Sequence, residues 1–276
     1  MFDNNNRSDN KIADQLTGQV KTCSFSQGMN WLKLGFNLFK LNPLQWMLST
    51  LSVLLLSLAL MAIPVVGSII ASILWAGFYV IARNLDRGDK FNPMDIIQTV
   101  KTSGLKLAGL TLINLVVMSV CFAIMLGDFP INDPEQLKQL SDTEILKLAE
   151  QFVLAMFIYL IPAAAFVFSP ILLALQPQVS LINTIIQSFR ACLLNVLAML
   201  GFGLAMIGLA FPALVLITLN LTLLVPLYFM LLVPITMCAL YCAYKDIYCQ
   251  VNEDPNSSDN DINSSNDSNN SDVMQA

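Results

Sequence analysis

The chain contains no histidine. That absence removes imidazole acid–base chemistry, Ser-His-Asp triads and the common Cys/His zinc sites. Charge is scarce as well. Only 12% of the 276 residues are Asp, Glu, Lys or Arg, against 56% hydrophobic. So little polar surface cannot coat a soluble domain of this length. No P-loop pattern occurs, so the usual use of ATP is not encoded. Residues 1–24 are polar and lack an apolar h-region. No cleavable signal peptide is therefore expected, and the first apolar run serves as the insertion signal.

Long apolar runs are what the chain does have. They cover 44–62, 65–82, 105–126, 152–175, 196–219 and 221–244. Each is roughly 18–24 residues, enough to cross a hydrocarbon core of about 30 Å. The only charge inside them is Lys106, near an end, where its stem can snorkel. Residues 44–82 as one helix would be about 58 Å long, so they must fold back. Ile63-Pro64-Val65-Val66-Gly67 supplies the breakers. The stretch 191–244 is also uncharged and must hold two spans, with its turn at Asn220. The fold class is therefore all-α: a polytopic bundle of six transmembrane helices with interfacial amphipathic helices.

Orientation follows from the basic residues. Six spans place all of the 14 Lys and Arg residues on one side except Lys138 and Lys147. Positive-inside asymmetry makes the basic side cytoplasmic, with both termini inside. The loop 127–151 is then exported, and it is acidic. Residues 1–23 read as a disordered cytoplasmic N-terminus, 24–250 as the membrane domain and 251–276 as a disordered, acidic Asn/Ser-rich tail.

Between the spans lie segments with amphipathic patterning. In 24–41 the residues Asn30, Lys33, Asn37 and Lys40 form a polar stripe. Ser24 with Gln27 fits a capping box, and Pro43 stops the helix. Two readings stand. The segment lies in the lipid plane with Trp31 and Trp46 at headgroup depth, or it packs beneath the bundle as a collar. A second surface helix is expected from Asn92-Pro93-Met94-Asp95, separate from the span that starts at 105, and a third from Ser180. The exported loop is expected to add two short helices, one opening at Asp133-Pro134 and one capped by Ser141 and Glu144.

Ile96-Ile97-Gln98-Thr99-Val100-Lys101-Thr102-Ser103 matches Ile185-Ile186-Gln187-Ser188-Phe189-Arg190-Ala191-Cys192 at an offset of 89 residues. The same offset superposes span two on span four and span three on span five. A duplication would make each unit span, surface helix, span, in parallel orientation.

Candidate chemistry is thin. The six cysteines are Cys23, Cys121, Cys192, Cys238, Cys242 and Cys249. Most lie in or beside apolar runs, where cysteine acts as a small apolar residue. None lies in the exported loop, so no disulfide framework is expected. Cys238 and Cys242 sit one helical turn apart but lack a further ligand pair, so packing is the expectation. Span centres carry no ionisable group, which disfavours an ion-driven pump. Small-residue stripes at Ala198, Gly201, Ala205 and Gly208, and at Ser68, Ser72 and Ala76, suit close helix approach. Pro162, Pro170, Pro212, Pro226 and Pro234 are expected to kink spans four to six.

The pattern Gly28-x-x-Trp31-Leu32-x-x-Gly35-x-x-Leu38-Phe39-x-x-x-Pro43-x-x-Trp46, then Ile63-Pro64-x-x-Gly67 and Ala76-Gly77, resembles a family of uncharacterised bacterial inner-membrane proteins. It is more distantly similar to the membrane domain of glycerophosphoryl diester phosphodiesterases. The resemblance implies a six-span bundle in the bacterial cytoplasmic membrane. Those phosphodiesterases carry catalysis on a separate soluble domain, and no catalytic residue carries over.

The expected function is non-enzymatic, a scaffold or accessory protein partnered by the lipid bilayer and by other membrane proteins or copies of itself. The competing reading is a passive transporter or channel for a small neutral or amphipathic solute, with a polar cavity near Asn114 or Thr218. A membrane enzyme comes third. No catalytic, cofactor-binding or metal-binding residue is assigned, no cofactor is expected, and nucleic acid is not a partner.

Overall fold

The structure is a computed structural model that describes residues 20–126 except 61, and 141–249 except 222. The described residues form helices and no strand: α1 (Phe25–Phe39), α2 (Pro43–Leu60), α3 (Pro64–Asp86), α4 (Met94–Leu126), α5 (Asp142–Val167), α6 (Ser169–Leu175), α7 (Leu181–Leu194), α8 (Val196–Thr218) and α9 (Leu224–Tyr248). Among them, α2, α3, α4, the α5–α6 pair, α8 and α9 give six helices long and apolar enough to cross a membrane. The expected helix at Asp133, the tail 251–276 and most of the N-terminal stretch lie outside the described residues.

Local chemistry sets most helix ends. The Ser24 N–H donates to Gln27 Oε1 (2.6 Å) and the Gln27 N–H to Ser24 Oγ (3.3 Å), closing the capping box. Ser141 N–H donates to Glu144 Oε2 (2.8 Å), and Asn183 N–H donates to Ser180 Oγ (3.3 Å). Pro64 opens α3 in its first turn, where a missing N–H costs nothing. Asn220 has a positive φ. It takes the left-handed conformation, which asparagine tolerates better than most residues, and so turns α8 into α9.

Four expectations are corrected. Pro43 begins α2 rather than ending α1, because a proline in the first helical turn breaks no bond. The segment from Asn92 is no separate surface helix. It runs without interruption into the span as the 33-residue α4, since no proline lies between Met94 and Leu126. Trp31 and Trp46 are not at the periphery. They are 1% and 0% exposed, and Trp46 packs on Phe78 and Phe91 at 5.7 and 5.2 Å between ring centroids. Pro226 falls in the first turn of α9 rather than inside a span, whereas Pro162, Pro212 and Pro234 sit inside helices and Pro170 opens α6 directly after the break in span four at Phe168.

Helix α1 is a packed collar. Its glycines set the approach: a Cβ on Gly28 would lie 1.8 Å from the Ala198 carbonyl oxygen, and one on Gly35 would lie 2.4 Å from Ala239 N. Such contacts let α1 lie directly on α8 and α9. Its other face keeps Phe25, Met29, Leu34 and Phe36 exposed beside Lys33 and Lys40. Packed structure begins before residue 24, because Lys21 N–H donates to the Ile247 carbonyl (3.0 Å) and Cys23 is buried.

The two matched units fold differently. In the first, α3 and α4 are unbroken and pack along one another. In the second, both helices break, at Phe168 and at Asn195. The first break is held by Ser188, whose Oγ accepts from Phe168 N–H (3.0 Å) and donates to the Ala164 carbonyl (2.9 Å). Beyond Asn195, α8 leaves α5 and lies on α1. The gap is an apolar cleft of about 490 Å³ between Leu160, Ala164 and Val167 on one side and Leu193, Val196 and Leu200 on the other.

Burial is lopsided. The core gathers at the end where α3, α6 and α9 finish, around Phe78, Ile81, Leu107, Phe168, Leu172, Tyr244 and Ile247. Toward the other end large apolar side chains are exposed: Leu55 and Leu58 of α2, Val116 and Val120 of α4, Phe157 and Ile161 of α5, Ile207 and Phe211 of α8.

Candidate functional site: a polar cavity at the basic end

Three elements meet at the packed end. The last turns of α3 bring Arg83 and Asn84. The first turns of α4 bring Asp95, Gln98, Thr99 and Thr102, which repeat at helical spacing on one face. The end of α6 and the turn after it bring Ala174, Leu175 and Pro177. Together they enclose a cavity of about 320 Å³. It exists because α4, unbroken from Met94 to Leu126, is longer than a span needs. About 20 helical residues cross a bilayer core. The excess turns stand beside the end of α3 instead of lying flat.

The cavity holds two opposite charges apart. Asp95 is 9% exposed and accepts from Asn84 Nδ2 (2.7 Å) and Asn92 Nδ2 (3.2 Å). It also lies in the first turn of α4, where the helix dipole favours an anion. No cation lies within ion-pair distance of it among the described residues. Arg83 donates from Nη1 to the Leu175 carbonyl (3.2 Å), while its Nε–H is buried and has no hydrogen-bond partner. Asn92 also caps α4, accepting from Met94 N–H at Oδ1 (3.1 Å).

Lys106 stands behind this cavity. It donates to the Pro177 carbonyl and to the Val179 carbonyl (2.9 Å), and Ser103 Oγ donates to the Leu173 carbonyl (2.7 Å). The carbonyls that end α6 are thus satisfied by side chains of α3 and α4. The neighbouring ion pairs serve assembly. Asp86 accepts from Lys245 Nζ (2.7 Å) and Tyr241 Oη (2.9 Å), tying α3 to α9. Asp246 accepts from Trp31 Nε1 (3.0 Å) and pairs with Lys21 (3.7 Å). Burial, with the Asp246 carboxylate adding, pushes the Cys23 thiol up to about 11.

The residues singled out from sequence for a mid-membrane cavity do not converge. Asn114 accepts from Tyr159 Oη (2.8 Å) between α4 and α5, and Thr218 donates to the Val215 carbonyl (2.9 Å) within α8. Cys238 packs in the core, and no three Cys, Asp or Glu side chains are grouped so as to hold a metal ion among the described residues. The small-residue stripe on α8 divides: Ala198 and Gly201 meet α1, while Gly208 faces open space. In the sequence, Arg83 bears only on orientation and Asp95 only on the helix dipole. Their closeness across the short 87–93 connection is the signal that could have joined them.

Six membrane-length apolar helices and an all-α fold define a multi-pass helical membrane protein. Compared with protein families, curated proteins and solved structures, the chain matches none of them.

Proposed function

We propose that the protein is a non-enzymatic scaffold or accessory protein of the bacterial cytoplasmic membrane, with both termini in the cytosol. The lopsided burial carries this reading. One end is a closed core tied by Asp86–Lys245, Asp246–Lys21 and the α1 collar, while the far halves of α2, α4, α5 and α8 leave broad apolar faces free. A rigid anchor with open intramembrane faces suits lateral association. Small residues such as Gly208 permit close helix contact. The test is crosslinking in native membranes followed by purification in mild detergent. Recovery of stoichiometric membrane partners or of a defined homo-oligomer is the expected result. A lone monomer under both treatments overturns the reading.

The polar cavity favours a second reading, a passive transporter for a small solute. Beneath the cavity the core is filled by Ile73, Phe78, Ile81, Leu107 and Leu172, so transport requires α3 and α4 to part. Solute flux into proteoliposomes, abolished by crosslinking α3 to α4, decides between the two.

A further inference from the structure

The polar cavity also bears on binding, independently of the scaffold reading. A carboxylate at Asp95 and a guanidinium at Arg83 line the same void, yet they form no ion pair. Asp95 is buried and Arg83 half-buried, and a buried carboxylate left without a cation weakens a fold unless other groups serve it. Here each charge is held by neutral partners, the Asn84 and Asn92 amides and the Leu175 carbonyl, and each retains capacity for one more. The Arg83 guanidinium spends only Nη1 on a partner, the Leu175 carbonyl, and so keeps other donors. The void, about 320 Å³, has the size of a compact small-molecule site. Gln98 and Thr102 at its rim are exposed, so the cavity is open to one end of the molecule.

We infer that this cavity binds a small zwitterion, with its ammonium group against Asp95 and its phosphate or carboxylate against Arg83. A charge-assisted hydrogen bond at each end supplies affinity, and the need for both charges on one ligand supplies selectivity. Two sources present this chemistry at a membrane surface: a free solute, and the headgroup of an ethanolamine phospholipid. Asp95 prefers an ammonium that retains N–H donors, so a trimethylated choline headgroup should bind less well.

The test uses the full chain in mild detergent. Calorimetric titration with phosphoethanolamine probes the free source, and native mass spectrometry with ethanolamine, choline and glycerol phospholipids probes the headgroup source. Binding of phosphoethanolamine, or selective retention of the ethanolamine lipid, is expected, and which of them binds identifies the source. Arg83→Gln should weaken binding of the zwitterion and of inorganic phosphate at least tenfold. Asp95→Asn should weaken the zwitterion at least tenfold while sparing phosphate, a split that general damage to the fold does not produce. Thr102→Trp, an exposed rim change that leaves both charges in place, should block the cavity and abolish binding even if the Arg83 and Asp95 variants fail to fold. Failure of both zwitterion sources to bind, or unchanged affinity in the folded variants, overturns the inference.

Discussion

At Gly28 and Gly35 a single hydrogen atom decides whether α1 can dock. Any Cβ there meets the backbone of α8 or α9, which cannot swing aside as a side chain does. Gly28→Val should therefore destabilise the protein by about 1–3 kcal/mol, read as a lower thermal midpoint in detergent. A matching change at Gly203, which has open space around it, should leave the midpoint nearly unmoved. Asn195 is the other decisive residue. Its Oδ1 accepts from Cys23 N–H (2.6 Å), and its Nδ2 donates to the Lys21 and Ala191 carbonyls (3.0 Å each). These bonds hold the N-terminal segment and Cys23 in place. The neutral Cys23 thiol is favoured by burial, with its pKa raised from 9.0 to about 11. Its contribution to stability is fully present below about pH 9, where the unfolded thiol is also protonated, and is lost as pH rises through about 11. The thermal midpoint of the wild type relative to Cys23→Ala should fall across that interval. An unchanged difference over the same interval would contradict the burial argument.

Among the elements, the two repeat units teach the most. Their matched octapeptides differ at Thr99 and Ser188 by one methyl group, yet the hydroxyls do different things. Thr99 Oγ1 donates back to the Asp95 carbonyl (2.8 Å) within its own helix. Ser188 reaches across to α5 and serves both sides of the Phe168 break. Ser188→Ala leaves a buried N–H and a carbonyl unserved, at a cost of about 1–3 kcal/mol. Ser52→Ala, on an exposed intrahelical bond, should cost far less. Comparing unfolding of the two variants in detergent checks the assignment. Capping boxes and turn residues were legible in sequence because they depend on neighbours within a helical turn. The break at Asn195 was legible as the boundary between the helix expected from Ser180 and the span expected from 196, and Pro170 marked the neighbourhood of the break at Phe168. The bonds from Ser188 that hold the Phe168 break were not, since they depend on a partner from elsewhere in the chain. The same holds for α1. Its amphipathic pattern is plain, but lipid and protein offer the same apolar surroundings, so pattern alone could not choose between them.

For the molecule as a whole, the division is between a packed basic end and an open opposite end. Charge segregation predicts that reporter fusions at residue 138 are exported and those at residue 88 remain cytosolic. A cytosolic reporter at 138 would reverse the topology and with it the proposed orientation. Composition and run length alone determined that this chain is a bundle of six apolar helices, because the bilayer penalises every unsatisfied backbone group and every unpaired charge locally, residue by residue. Tertiary structure decided the rest. Whether Arg83 and Asp95 would pair, face a common cavity or point apart depended on the length of α4, the end of α6 and two asparagines. The collar likewise depended on glycines finding the backbone of α8 and α9. Those outcomes come from surfaces meeting in three dimensions, and hydropathy carries no record of which surfaces meet.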